Sequence, residues 1–328
     1  MHGRIRPVLV LAIAAALLIA APSAMAAHKD GRAAPGRDPL QAITAKTVGA
    51  PTVTDPSGVP MPSGGVSGWT QVFSDNFSTN VPLGGFSDCA LGGTLEDSNC
   101  AGLPSAVAAK WFAYADGWSD TSGNGIYEPS QVLSIRHHEL DFYIHSNTAG
   151  EPLGSSVEPK IKGATRDGGL LYGAYMVRFK ANLLPGYKIA WLLWPDAYSE
   201  GTATWPQDGE VDFPEGDMNG GFWAFMHWRG GTNGFDKYAY NTGDRFDKWQ
   251  TALIEWTPQM VRFILNGKII GTSTQHIPDT PMHWVLQTET ATDGTIPAAS
   301  TAGHVDVAWV SVYRTHESAL RKLRRVER

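Results

Sequence analysis

Short runs of alternating or aromatic-rich residues, separated by turn residues, make up most of this chain. Beyond residues 1–26, no stretch shows apolar residues at a sustained helical spacing. Short alternating runs between frequent turns are typical of β-sandwiches and barrels. The dipeptide Asn266-Gly267 lies between two apolar runs and favours a two-residue hairpin, since both turn positions need a positive φ. The pattern therefore predicts an all-β fold, an antiparallel β-sandwich.

The predicted strands are spread over residues 69–313. They are residues 69–73, 131–135, 139–145, 171–180, 189–193, 209–213, 222–228, 250–256, 260–265, 268–272 and 305–313. An antiparallel sheet can pack one face on its partner and leave the other face in water. We therefore expect a concave cleft on one sheet. Residues 116–131, 147–169 and 229–244 are predicted to be loops.

The N-terminus has the composition of a secretory signal. Arg4 and Arg6 precede an apolar run over residues 8–21, and Ala24-Met25-Ala26 is a small-x-small cleavage site. The apolar run is short for a membrane span. We expect residues 1–26 to be a signal peptide and the protein to be secreted, extracellular or periplasmic, with no membrane association after cleavage.

The rest of the chain is predicted to hold one large domain. Residues 27–68 are rich in Pro, Gly, Ser, Thr and Ala, a composition that predicts a flexible linker. Residues 69–315 fit a single folded domain, and residues 316–328 form a short basic tail. The net charge of −6 argues against nucleic acid as a partner. We expect a monomer.

Cys89 and Cys100 are the two cysteines of the chain and lie in a Gly-, Ser- and Asp-rich segment. In an exported protein, two cysteines this close in sequence predict a disulfide. A loop of this size contributes on the order of 3 kcal/mol in the chain-entropy account. We expect the bond to hold down a surface loop.

Three carboxylates occur within the hydrophobic segment Glu210-Val-Asp-Phe-Pro-Glu215. Alternate side chains of a strand share a face, so Glu210 and Asp212 point the same way. One extra residue, a β-bulge, would turn Glu215 onto that face, and Pro214 suits a bulge because it cannot donate a ladder hydrogen bond. Carboxylates aligned in this way can flank a glycosidic bond. The pattern indicates a glycosidase; the alternative is an exposed acidic turn.

Several ordered segments of the chain form a recognisable series. They are Trp69-Thr-Gln-Val-Phe, Tyr172-Gly-Ala-Tyr-Met-Val-Arg178, Ala190-Trp-Leu-Leu193, Trp205-Pro-Gln-Asp-Gly-Glu210, Glu255-Trp-Thr-Pro258, Asn266-Gly267 and the run from Asp306 to Arg314. In this order they resemble glycoside hydrolase family 16, whose members are endo-acting β-glycanases with a concanavalin A-like jelly roll. The resemblance runs from about Trp69 to Arg314 and implies that fold for nearly the whole predicted domain.

The resemblance also implies a role for each acid. The motif looks like the bulged form found among laminarinases, agarases and carrageenases. Glu210 aligns with the nucleophile, Glu215 with the general acid/base, and Asp212 with the acid that hydrogen-bonds the nucleophile. The reaction would be retaining, with a covalent glycosyl-enzyme and a protonated Glu215 at the first step.

Aromatic and polar residues near the motif are candidates for substrate binding. Trp205 resembles the family tryptophan that stacks on the sugar beside the cleavage point, and His227 resembles the family histidine near the acid/base. Weaker candidates for subsite walls or sugar hydrogen bonds are Trp118, Trp223, Trp228 and Gln287. The alternative for each is a core position, which is what we expect of Trp191.

No cofactor is required by this chemistry. Some family members bind a structural calcium near the opening strand and an Asp of the last strand, which makes Asp306 a candidate ligand. Asn76 stands where many relatives carry Glu, and this lost carboxylate argues against the site. Asp217, an extra acid after the motif, is either a turn residue or a substrate contact.

The sequence thus predicts a secreted, retaining endo-β-glycanase whose partner is a polysaccharide, a β-1,3-linked or mixed β-1,3/1,4-glucan above all. Hydrolysis of galactans such as agarose or carrageenan, and transglycosylation, are alternatives on the same fold. A carbohydrate-binding protein without catalysis is an alternative from another class, as is an anchored structural surface protein.

Overall fold

The computed structural model describes residues 39–45, 49–196 and 203–315. The predicted signal peptide and basic tail lie outside these ranges. The described chain is almost entirely β, with three short helices, α1 (Pro39–Thr44), α2 (Ser105–Ala108) and α3 (Pro129–Val132). None of the helices in these ranges has the length and hydropathy required of a transmembrane segment.

The strands confirm the all-β prediction. They are β1 (Trp69–Asp75), β2 (Cys89–Ala90), β3 (Asn99–Cys100), β4 (Trp111–Ala113), β5 (Trp118–Ser119), β6 (Ile126–Tyr127), β7 (Leu133–Arg136), β8 (Glu139–Ser146), β9 (Pro152–Pro159), β10 (Gly173–Ala181), β11 (Tyr187–Pro195), β12 (Glu210–Asp217), β13 (Gly221–His227), β14 (Lys237–Arg245), β15 (Gln250–Trp256), β16 (Val261–Leu265), β17 (Lys268–Ser273), β18 (Met282–Thr290) and β19 (Gly303–Thr315).

Two antiparallel sheets form the sandwich. One has the order β14-β13-β12-β11-β18-β9-β4. In the other, β17, β16, β15, β10 and β19 are neighbours in that order, and β1 and β8 both pair with β19. Strands β8 and β9 also pair, which connects the two sheets along one edge. The acidic motif is on β12, inside the first sheet.

Alternation along β11 decides which face of the first sheet is buried between the layers. Ile189, Trp191 and Leu193 are completely buried in the main core. Trp191 packs edge-to-face on Phe179 of the opposite sheet, which confirms the expected core position. Burial of one such large apolar side chain stabilises the fold by about 1.5–3 kcal/mol. The even-numbered residues of β11, among them Ala190, therefore face the opposite side, where the acids lie.

Part of the predicted linker is packed on the outer face of the second sheet. Leu40 and Val59 are buried in a small apolar cluster with Trp309, and the Trp309 indole donates a hydrogen bond of 2.7 Å to the carbonyl of Val59. Arg178 donates to the carbonyl of Ser57 at 3.1 Å. Parts of the predicted linker are thus packed on the folded domain, because a few of its apolar side chains contact an apolar patch on the sheet.

Two of the predicted loops contain long strands. Residues 147–169 include β9, which is buried throughout, and residues 229–244 include most of β14. Strand β18 was not among the predicted strands either. The predicted strand at 131–135 begins as the end of α3 and becomes a strand at Leu133. The predicted disulfide joins Cys89 to Cys100 across the small β2–β3 ribbon.

Candidate active site

A bulge in β12 aligns the three acids, as predicted. On the β13 side, Asp212 pairs with Phe225 and Glu215 with Trp223, so three steps along β12 match two steps along β13. The same shift occurs on the β11 side, where Leu192 pairs with Asp212 and Ala190 with Glu215. The extra residue lies at the Phe213-Pro214 segment. Because the bulge restores the alternation, Glu215 shares the exposed face with the two preceding acids.

At the N-terminal end of the motif, Glu210 and Asp212 both lie close to a histidine. His227 is in register with Glu210, and its Nε2 lies 3.5 Å from Asp212 and 3.9 Å from Glu210. The indole of Trp205 donates a hydrogen bond of 2.8 Å to Glu210. His227 is almost fully buried, and burial followed by the nearby Lys237 lowers its pKa to about 4. The histidine is therefore neutral over the ordinary pH range.

Both acids at this end hold protons more tightly than usual. Burial and then the charge of Glu215 raise the pKa of Glu210 to about 7, against the opposing effect of the Trp205 hydrogen bond. Burial and then the charge of Glu210 raise the pKa of Asp212 well above its ordinary value. Two buried carboxylates side by side without a cation in contact cannot both ionise cheaply. At least one proton is thus shared at this end near neutral pH.

The other end of the motif has a cation. Lys188 of β11 places its Nζ 2.6 Å from Glu215, and 3.8 Å from Glu289 of β18. Burial alone would raise the pKa of Glu215, but the charge and hydrogen bond of Lys188 lower it below its ordinary value. Burial works against the charge on Lys188, yet Glu215 and Glu289 more than offset this and raise its pKa. Glu215 is therefore a carboxylate in the free protein.

Most of the predicted substrate-binding residues lie on the same face as the acids. Trp205 also stacks on Trp194 with ring centroids 6.1 Å apart. Trp223 is in register with Glu215, and Gln287 is in register with Ala190, the β11 partner of Glu215. Trp118 is half-buried and packs on Tyr114 at 5.5 Å, farther along the face. Trp223 and Gln287 thus lie on the face of the first sheet that carries the acids, on strands on both sides of the motif.

Trp228 does not reach the acids. It follows His227, so alternation turns it to the other side of the sheet, where it packs against the main core and stacks on His276 at 4.7 Å. The core alternative describes it better than the substrate-wall prediction.

Several charged residues of the cleft were missed by sequence reasoning. Lys188 and Glu289 come from strands β11 and β18, and a lysine at the start of an apolar strand was the available signal. Farther along the face, His283 is hydrogen-bonded to Asp196 at 3.1 Å. Glu158 of β9 is buried beside this pair. Such buried polar groups on a cleft face are suited to bind sugar hydroxyls.

Two places in the described chain have carboxylates that bear on cation binding. Asp306, the candidate calcium ligand, is ion-paired with Lys180 at 3.3 Å, and calcium binding at this residue stays a prediction. Ligand atoms of Glu210, Asp212 and His227 lie within 4.8 Å of one another. A carboxyl group that keeps its proton is a poor metal ligand, so we do not assign these residues to a metal. Asp217 is half-buried at the end of β12, where burial and then Asp293 raise its pKa.

The sequence model of the Glycosyl hydrolases family 16 matches residues 128–311, which is more than half of the chain. The chain belongs to glycoside hydrolase family 16. It is accordingly a glycoside hydrolase, and its bulged acidic strand lies inside the matched range. No curated protein matches it in sequence.

Solved structures with similar folds are distant in sequence. The laminarinase from Rhodothermus marinus is 20% identical with a TM-score of 0.56, covering 76% of this chain and 98% of that one. A point mutant of SCLam, a non-specific endo-beta-1,3(4)-glucanase, is 17% identical with a TM-score of 0.57, covering 78% and 98%, and presents 1,3-beta-D-cellobiosyl-glucose at its active site. A pseudo beta-1,3-glucanase of Mycobacterium tuberculosis is 18% identical with a TM-score of 0.55, covering 75% and 99%.

Proposed function

We propose that this family 16 enzyme is a secreted, retaining endo-β-glycanase that hydrolyses a β-1,3 or mixed β-1,3/1,4-glucan. The observation that carries the proposal is the bulge in β12, which places Glu210 and Glu215 on one face with Asp212 between them. Two carboxyl groups on one face, on either side of a scissile bond, are the equipment of a glycosidase.

In the proposed reaction the Glu210 carboxylate attacks the anomeric carbon while Glu215 gives its proton to the departing glycosidic oxygen. The carbon–oxygen bond to the leaving sugar breaks, and an ester to Glu210 forms. Water, losing a proton to Glu215, then releases the sugar with its original configuration. The Trp205 hydrogen bond stabilises Glu210 as a carboxylate and so supports this residue as the nucleophile.

The glucan assignment is supported by two of the similar structures, a laminarinase and a non-specific endo-beta-1,3(4)-glucanase. The charge of the cleft also favours a neutral glycan. Glu158, Glu210, Asp212 and Glu289 are buried on or beside this face, Glu215 is largely buried there, and a sulfated galactan would meet more negative than positive charge.

The test is release of reducing ends from laminarin, lichenan, agarose, κ-carrageenan and xyloglucan, with Glu210→Gln as the matched variant. We expect release from laminarin or lichenan, and a loss of about 10⁴-fold or more in the variant. Early products of mixed length would support endo cleavage, and products longer than the substrate would indicate transglycosylation.

Release from agarose or κ-carrageenan alone would contradict the glucan assignment. Binding to a glycan without release, equal in the wild type and in Glu210→Gln, would support a carbohydrate-binding protein instead. That outcome has a precedent in fold, because one similar structure is a pseudo beta-1,3-glucanase.

A further inference from the structure

Lys188 is the cation in direct contact with the predicted acid/base. Its side chain is only 10% exposed, and its Nζ lies 2.6 Å from Oε1 of Glu215. A buried ammonium group that has lost its water stays charged only where carboxylates replace that water. The contact is therefore a paired charge inside the cleft and differs from a surface salt bridge, whose contribution is small.

Glu289, on the neighbouring strand β18, fixes the position of the Lys188 side chain. The two residues are in register on β11 and β18. One oxygen of Glu289 lies 3.8 Å from the lysine Nζ, and the other accepts hydrogen bonds from the Tyr127 hydroxyl at 3.1 Å and from the backbone N–H of Thr121 at 3.3 Å. Because Glu289 is held in this way, the lysine has a defined place from which it reaches Glu215.

The charged groups around Glu215 come from five strands. They are Glu210, Asp212 and Asp217 on β12, Lys188 on β11, Glu289 on β18, His227 on β13 and Lys237 on β14. His227 and Lys237 act on Glu215 over a longer distance than Lys188 does, and His227 is neutral in the ordinary pH range. Lys188 is consequently the largest favourable influence on the Glu215 carboxylate.

We propose that Lys188 is a positioning residue for the predicted acid/base: it holds the Glu215 carboxyl group through a buried ion pair anchored on Glu289, and it sets the pH range in which the site works. The inference rests on the proposed function only in taking Glu215 as the acid/base. The lysine itself does not touch the reacting atoms.

The direction of the effect follows from the charges. A cation beside Glu215 favours its carboxylate form, so the group gives up its proton at lower pH than an isolated glutamic acid would. This makes Glu215 a stronger proton donor and reduces the fraction that is protonated near neutral pH. Removal of the cation should reverse both effects, and removal of Glu289, which shares the cation, should strengthen them.

The test compares pH profiles of kcat/KM for the wild type, Lys188→Met and Lys188→Arg. We expect the acidic limb, which follows Glu215, to move to higher pH in Lys188→Met and to return toward the wild-type position in Lys188→Arg. The alkaline limb, which follows Glu210, should move in the same direction but less, because the lysine charge also lowers the pKa of Glu210 without being in contact with it. Lys180→Met is the matched control. Lys180 also lies on a strand and is ion-paired, but its partner is Asp306, and both residues belong to the sheet that does not carry the three acids. The limbs of the Lys180→Met profile should coincide with those of the wild type.

Glu289→Gln gives an independent test in the opposite direction. Its amide oxygen can still accept the Tyr127 hydrogen bond, while Lys188 is left to Glu215 alone. We expect the acidic limb to move to lower pH. A residue with a merely structural role would not give opposite shifts in the two variants.

A folded Lys188→Met protein with unmoved limbs, or a shift of Glu289→Gln in the same direction, would overturn the inference. If Lys188→Met does not fold, the direction of the Glu289→Gln shift decides. If the wild type cleaves no glycan, the proposed function fails separately. The ¹³C titration of the Glu215 carboxyl carbon, assigned with Glu215→Gln, then decides by its position in the wild type and the Glu289→Gln protein.

Discussion

The two ends of the acidic strand β12 differ in what faces them. Glu210 and Asp212 face a neutral histidine and a single indole donor, and their pKa values are raised. Glu215 lies a few residues away at similar depth and faces Lys188, and its pKa is lowered. Burial is common to both ends, so the neighbouring strands decide which carboxyl keeps a proton.

This difference changes the expected starting state of the reaction. The family mechanism begins with a protonated Glu215 and an ionised Glu210, whereas the free protein favours the reverse. The productive form is then a minor one, with the proton moved from the Glu210 end to Glu215. In such a case the alkaline limb of kcat/KM follows Glu210, near pH 7, and the acidic limb follows Glu215.

The largest expected effect is the loss of the acid/base. Glu215→Ala should lower kcat on the polysaccharide by about 10²–10⁴-fold, because no group remains to protonate the leaving oxygen. An aryl glycoside with a good leaving group should be affected less. Azide should restore turnover by attacking the glycosyl-enzyme, and ¹H NMR should show a glycosyl azide with the configuration of the substrate.

An azide product of inverted configuration from Glu215→Ala would show that Glu215 is the nucleophile, and Glu210 would then be the acid/base. Equal losses on the polysaccharide and on the activated aryl glycoside would show that Glu215 does not act as the proton donor.

A smaller effect is expected for the free energy of unfolding, with opposite signs for substitutions at Glu210 and at Glu215. The raised pKa of Glu210 gives stability that is present below its unfolded value of 4.5 and is lost as pH rises through about 7. Glu210→Gln should therefore be more stable than the wild type at pH 8 by about 2–3 kcal/mol, with most of this gain gone at pH 5. Urea unfolding at the two pH values measures it.

The matched variant at the other end is Glu215→Gln. A lowered pKa gives stability that is present above the unfolded value and is lost as pH falls, so removal of this charge should destabilise at pH 8. The cost should be about 3 kcal/mol, because Lys188 is left buried with only the more distant Glu289. Shifts of the same sign in both variants would contradict the contrast between the two ends.

The alignment of the three acids could be predicted from the sequence, whereas the ion pair at Glu215 could not. Alternation and Pro214 are local signals, and they were enough to predict the bulge and the shared face of the three acids. The pairing of Lys188 with Glu215 depends on the register of β11 against β12, which no local pattern contains. For the same reason the expectation of a protonated Glu215 did not anticipate the cation.

The fold shows the same division between local and distant causes. Most strands with clear alternation were predicted, and so was the hairpin at Asn266-Gly267. Strand β9 was missed because its Gly154-Ser-Ser segment has low strand propensity, and it is held instead by pairing with β18 and β4 on its two sides. Leu40 and Val59 were assigned to a linker because composition does not reveal an apolar patch on a distant sheet.

The smallest expected effect concerns the indole that faces Glu210. Trp205→Phe keeps an aromatic ring beside Trp194 but removes the N–H donor to Glu210. The donor stabilises the carboxylate, so its loss should raise the pKa of Glu210 further, by less than about one unit. The alkaline limb of kcat/KM should move upward while the limb that follows Glu215 stays in place. If instead KM rises and both limbs stay, Trp205 acts only as a platform for the sugar, and its N–H does not influence the pKa of Glu210.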